Sequence, residues 1–128
     1  MGSSGSTDTS SQQQNISQTQ LPPWVNQAAQ QNYALAAKHL AKAAELGIKE
    51  APLYNFLGTS YIHANQPAKA IQSYQEALRL DPKLAEAHLN LGYAYERAGR
   101  ASAAQDEYRK ACELKGEFCT MAKKPAGQ

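Results

Sequence analysis

The sequence predicts an all-α fold, an α-solenoid of antiparallel helix hairpins, on three observations. Apolar residues recur three and four apart from residue 24 onward, with no strand-like alternation. Turn-forming residues divide the chain into segments of about 12 to 15 residues with very short connections, the spacing of helical hairpins. The pattern also repeats, with a period of 34 residues.

The 128 residues suffice for one domain and hardly for two. "MGSSGS" has the form of an expression remnant, and Thr7 to about Leu21 is mostly Ser, Thr, Gln and Asn, with Asp8 its only charge. Residues 1–22 are therefore expected to be remnant and disordered linker, because they carry too little apolar surface to offset the entropy of ordering them. The prolines of "LPPW" end any preceding helix, and Pro23 suits the first turn of a new one.

A partial unit is expected over 23–50. Its stretch from Tyr33 to Leu46 is helical in pattern, preceded by a short helix or continuous with one starting near Trp24. Two full hairpins should follow, over 51–84 and 85–116, with turns at Asn65-Gln66-Pro67, Asp81-Pro82 and Gly99. Asn65 and Gly99 occupy equivalent turns, and both residue types tolerate the left-handed conformation that ends a helix. Residues 117–124 read as a capping helix that buries Phe118 and Met121, and 125–128 as a disordered tail.

The period is visible residue by residue. Laying 51–84 on 85–118 matches Ala51 with Ala85, Leu57 with Leu91, Gly58 with Gly92, Tyr61 with Tyr95 and Ala64 with Ala98. It also matches Ala70 with Ala104, Tyr74 with Tyr108, Ala77 with Ala111 and Leu80 with Leu114, and this last group recurs upstream as Ala36, Leu40, Ala43 and Leu46. The glycines let one helix approach its neighbour closely, the alanines do so from the other side, and the Leu and Tyr side chains fill the remaining space.

In period and in this small/large signature the chain resembles the tetratricopeptide repeat (TPR) family. The resemblance implies that each unit is an antiparallel pair, helix A then helix B. Tyr54 and His88 stand where the family usually has Trp, Pro82 is the usual helix-ending proline, and Gly116 replaces that proline in the last unit.

Composition and motifs exclude several function classes. Thirteen basic against eleven acidic residues leave a net charge of +2, and the basic residues are scattered, so no nucleic-acid partner is expected. No apolar run approaches the roughly 20 residues of a membrane span, so no direct membrane insertion is expected either. His39, His63 and His88 fall on three different helices without a Glu-flanked zinc pair, and no phosphate loop or nucleophile elbow occurs. Neither a catalytic site, a cofactor nor a metal is expected.

Cys112 and Cys119 lie seven residues apart across the Gly116 turn, where a returning helix would bring them within disulfide reach. The alternative is a pair of reduced thiols packing the cap. A bridge would imply an oxidising compartment such as a bacterial periplasm, so the sequence leaves cytoplasm and periplasm both open.

Binding remains. In the resembled family the A helices line a concave groove that holds a peptide or a partner's helix. Residues of the A helices outside the packing motif are then the candidate partner contacts: Asn55, Phe56, Thr59 and His63 in the first full unit, Glu86, Asn90, Tyr93 and Arg97 in the second. Phe56 and Tyr93 would supply apolar area, and Asn55 and Asn90 would hydrogen-bond an extended backbone. The carboxylate clamp of co-chaperone versions is not expected, because Asn55 and Thr59 stand where its Lys and Asn belong. The expected function is a scaffold binding another protein or a peptide. Two alternatives are an accessory protein of bacterial envelope assembly or secretion, and a self-association module. In the latter, the irregular first unit would pair Trp24 and neighbouring apolar surface with a second copy, giving a homodimer.

Overall fold

A computed structural model describes residues 23–120, with side chains from residue 27 onward. The expected linker at 1–22, the tail at 125–128, the Trp24 side chain and residues 121–124 of the cap lie outside the described residues.

Five α-helices follow one another: α1 Pro23–Glu45, α2 Ala51–His63, α3 Pro67–Leu80, α4 Ala85–Arg97 and α5 Ala101–Leu114, then a 3-10 turn at Gly116–Phe118. No strand occurs among the described residues. The fold is the all-α solenoid that the periodicity predicts, with α2 and α4 as A helices and α3 and α5 as B helices. The partial first unit is one continuous helix of 23 residues, in which nothing interrupts the Ala- and Gln-rich run from Pro23.

The turns explain the helix ends. Asn65 and Gly99 both adopt the left-handed conformation, at φ 65° and 80°, and Gly47 does so after α1 at φ 106°. At each, the chain closes a Schellman motif: Gln66 N–H donates to the Tyr61 carbonyl at 2.8 Å, Arg100 N–H to that of Tyr95 at 2.8 Å, and Ile48 N–H to that of Ala43 at 3.1 Å. Pro67 then sits at the first turn of α3, where its missing N–H costs nothing. The turn between units is different: Asp81 Oδ1 accepts from Lys83 N–H at 3.1 Å, and Pro82 prevents α3 from continuing.

Within each unit the A and B helices meet around a glycine and a tyrosine. Tyr74 and Tyr108 are the largest fully buried side chains, 2% and 1% exposed, and each ring packs against the bare backbone of Gly58 or Gly92. Ala70, Ala77, Ala104 and Ala111 are completely buried, so the B helices lie close to their partners. One apolar cluster joins the two units through Ile62, Ile71, Tyr74, Leu91, Tyr95 and Tyr108. Burying each such large side chain contributes roughly 1.5–3 kcal/mol.

α2 packs directly on α4, while no comparable packing joins α1 to α3 or α3 to α5. The A helices are therefore drawn together and the B helices splayed, which gives the array an inner and an outer side. At the C-terminus the described part of the expected cap is the 3-10 turn, not a helix. Phe118 is only half-buried, with the Lys115 ammonium 5.4 Å from its ring centroid.

Candidate functional site

The inner side is built by α2 and α4. Asn90 Nδ2 donates to Asn55 Oδ1 at 3.0 Å, a direct bond between the two A helices. This contact uses one polar atom of each amide. Asn55 keeps its NH2 group and Asn90 its carbonyl oxygen, the donor and the acceptor that an extended backbone requires. Phe56 is 62% exposed and Tyr93 44% exposed, both on these same helices. They are large apolar side chains that the fold leaves in solvent.

Arg97 extends this surface. Its guanidinium donates to Asn65 Oδ1 at 3.0 Å and to the Tyr93 hydroxyl at 3.4 Å, and lies 5.9 Å from the Tyr93 ring centroid. It thereby fixes the Tyr93 ring against the turn between α2 and α3. An exposed cation–aromatic contact of this kind contributes about 0.5–1 kcal/mol, weak enough to rearrange around a ligand.

Other candidates have structural engagements that their sequence positions did not reveal. The Thr59 hydroxyl donates to the Asn55 carbonyl at 3.1 Å and bonds the Tyr74 hydroxyl at 2.8 Å, so it anchors α3 to α2. The His63 ring stacks on Tyr33 of α1, with centroids 4.4 Å apart. Glu86 accepts from Lys115 Nζ at 2.9 Å, and that hydrogen bond holds its carboxyl below the usual range. The structure thus connects Asn90 to Asn55 and Thr59, and Tyr93 to Arg97. It places His63 towards α1 and Glu86 at the C-terminal turn.

Two polar groups beneath this surface are structural. His88, at the large core position of the second unit, has Nδ1 2.8 Å from Glu107 Oε1 and Nε2 2.9 Å from the Pro82 carbonyl. The Tyr108 hydroxyl donates to Glu96 Oε1 at 2.7 Å. A polar residue at a large core position was the sequence signal for the first of these, since a buried imidazole needs partners.

Cys112 and Cys119 are joined in a disulfide with their Cα atoms 4.3 Å apart, tying the last turn of α5 to the residue after the 3-10 turn. Among the described residues no group of three or more His, Cys, Asp or Glu side chains is placed to hold a metal ion, and no helix is long and apolar enough to cross a membrane.

Comparison with known proteins agrees with this architecture. A family model described as TPR repeat matches residues 58–99, and one described as tetratricopeptide repeat matches residues 85–118. Among solved structures, a MamA crystal structure is 28% identical over 67% of this chain and 50% of its own, with a TM-score of 0.65. A MamA AMB-1 structure is 32% identical over 66% of this chain and 50% of its own, at TM-score 0.63. A MamA MSR-1 structure is 25% identical over 90% of this chain and 71% of its own, also at 0.63. The first two alignments span about half the length of those MamA chains. None of the curated proteins matches the sequence.

Proposed function

This chain is a tetratricopeptide repeat protein, and from that premise we propose that it docks a peptide or partner helix on the inner side of α2 and α4. Repeats of this family generally act as non-catalytic scaffolds for protein partners, and the surface here suits binding without chemistry.

The observation that carries the reading is the Asn55–Asn90 bond flanked by Phe56 and Tyr93. A ligand backbone laid across the amide pair meets one free donor and one free acceptor. Its side chains meet two exposed rings whose burial needs little reorganisation. Aromatic anchors of this kind dominate interface energetics, and truncating one costs about 2 kcal/mol or more when it is a hot spot. The two full units among the described residues form a short stretch of groove, so the affinity of this segment alone should be modest.

The test compares partners retained by the native array with those retained by a Phe56→Ala/Tyr93→Ala double variant of equal helicity. Partners lost only from the variant support the groove. If every partner is retained, the groove reading is wrong.

A second reading is favoured by the disulfide. Cys112–Cys119 fits an oxidising compartment, and with it an accessory role in bacterial envelope assembly or secretion. Protein isolated from its native host should gain the mass of two hydrogens on reduction. A host-derived chain with both thiols already free would remove this reading.

A further inference from the structure

On the outer side, between α1 and α3, an open cleft of about 310 Å³ is lined by Ala34, Ala37, Lys38, Tyr61, Gln66 and Lys69. At 100° per residue Tyr61 lies about 140° around α2 from the exposed Phe56, so this cleft is separate from the inner groove.

The repeat explains why the cleft is open. One period later the corresponding position is closed: Ile71 replaces Ala37 and is buried, and Gln75 replaces Ala41 and donates to the Tyr95 hydroxyl at 3.2 Å. Arg100, in place of Gln66, covers the Tyr95 ring at 4.6 Å, and Tyr95 itself is buried. At the first junction Ala37 lines an open volume instead, and Ala41 carries no amide to reach Tyr61. Tyr61 is only half-buried, and its hydroxyl has no hydrogen-bond partner among the described residues.

The charge is as asymmetric as the shape. The period puts Lys38 and Lys69 where the closed junction has Gln72 and Ala103. Neither lysine lies within ion-pair distance of a carboxylate among the described residues. Lys69 instead lies 5.7 Å from the centroid of the Tyr61 ring. A phenol, an amide and two lysines thus line one open cleft, roomy enough for a side chain to enter.

We propose that this cleft binds a carboxylate side chain, Asp or Glu, from an acidic segment of a partner protein. The carboxylate would accept from the Tyr61 hydroxyl and face both ammonium groups, while its methylene stem rests on Ala34 and Ala37. A charge of this sign in a concave site raises both encounter rate and selectivity, and both effects weaken with salt.

The test is an amide NMR titration of the full chain with a capped hexaglutamate peptide, its hexaglutamine counterpart and inorganic phosphate. Hexaglutamate should shift the amides of Ala37, Lys38, Gln66 and Lys69, less so at high salt, and the other two probes should not. Lys38→Gln/Lys69→Gln should weaken binding about tenfold, the combined effect expected of two exposed charge contacts. Ala41→Gln, which copies the closed junction, should abolish it with helicity intact. Equal shifts from hexaglutamine or phosphate, shifts confined to Asn55, Phe56, Asn90 and Tyr93, or binding that survives both variants would overturn the proposal.

Discussion

The Tyr108 ring occupies the space that a side chain on residue 92 would need: a Cβ at Gly92 would stand 2.5 Å from Tyr108 Cε1 and 3.1 Å from the Ala104 carbonyl oxygen. Gly58 and Tyr74 repeat the relationship one unit earlier, at 2.6 Å. Two effects compete when either glycine becomes alanine. Helix propensity favours alanine by about 1 kcal/mol. Overpacking a closed core costs about 1–3 kcal/mol, and here the ring cannot retreat because it is fully buried. The clash should prevail. Gly92→Ala is expected to lower the urea midpoint and Gly92→Leu to unfold the array. Gly92→Ala/Tyr108→Leu, which borrows the residue found at Leu40, should recover most of the loss. A stable, fully helical Gly92→Leu protein would contradict this packing.

His88 makes a second prediction. Both of its ring nitrogens face acceptors, the Glu107 carboxyl and the Pro82 carbonyl. These two contacts fasten α4, α5 and the turn between units together. Glu107→Leu alone leaves a buried nitrogen without its partner, which costs about 1–3 kcal/mol. His88→Phe/Glu107→Leu removes both polar groups and should cost less than the sum of the single changes. Additive losses in urea denaturation would mean the pair is not coupled.

These contacts show what the sequence made legible. The period, the turns at Asn65 and Gly99 and the glycine–tyrosine packing are local or strictly periodic, so they can be read along the chain. The engagements of Thr59, His63 and Glu86 cannot, because their partners Tyr74, Tyr33 and Lys115 lie 15, 30 and 29 residues away and none of these pairs recurs one period along the chain. The open outer cleft is legible only by comparing Ala37 and Ala41 with Ile71 and Gln75, once the structure shows what those residues do.

Alkaline stability follows from the two fully buried tyrosines, Tyr74 and Tyr108. Burial pushes the Tyr74 hydroxyl up to about 12 from its ordinary 10.0, and Tyr108 is raised too, by burial and then by the Glu96 carboxylate beside it. In both, the folded state holds its proton more tightly than the unfolded chain does. Their contribution is complete below pH 10, where neither state ionises. It falls as pH rises from 10 towards 12, because the unfolded chain then binds fewer protons than the folded one. Thermal midpoints should accordingly drop above pH 10. Tyr74→Phe should flatten that drop while costing some stability at neutral pH through the lost Thr59 bond. An unchanged slope in this variant would exclude Tyr74 as a source.

The Asn55–Asn90 bond separates folding from binding. It is half-buried and joins two amides, so its net contribution to stability is about 0.5–1.5 kcal/mol. Asn90→Ala should therefore leave a cooperatively folded array with a slightly lower midpoint. Binding should suffer more, because the same change removes the carbonyl acceptor offered to a ligand and frees Asn55 to reorient. Asn55→Ala removes the complementary donor and should weaken the same partners. A peptide held through its backbone would lose affinity in both variants, whereas a partner helix, whose backbone groups are already paired, would be sensitive to Phe56→Ala and Tyr93→Ala alone. Titrating one partner against all four single variants by calorimetry distinguishes the two modes. A partner insensitive to all four does not use this face.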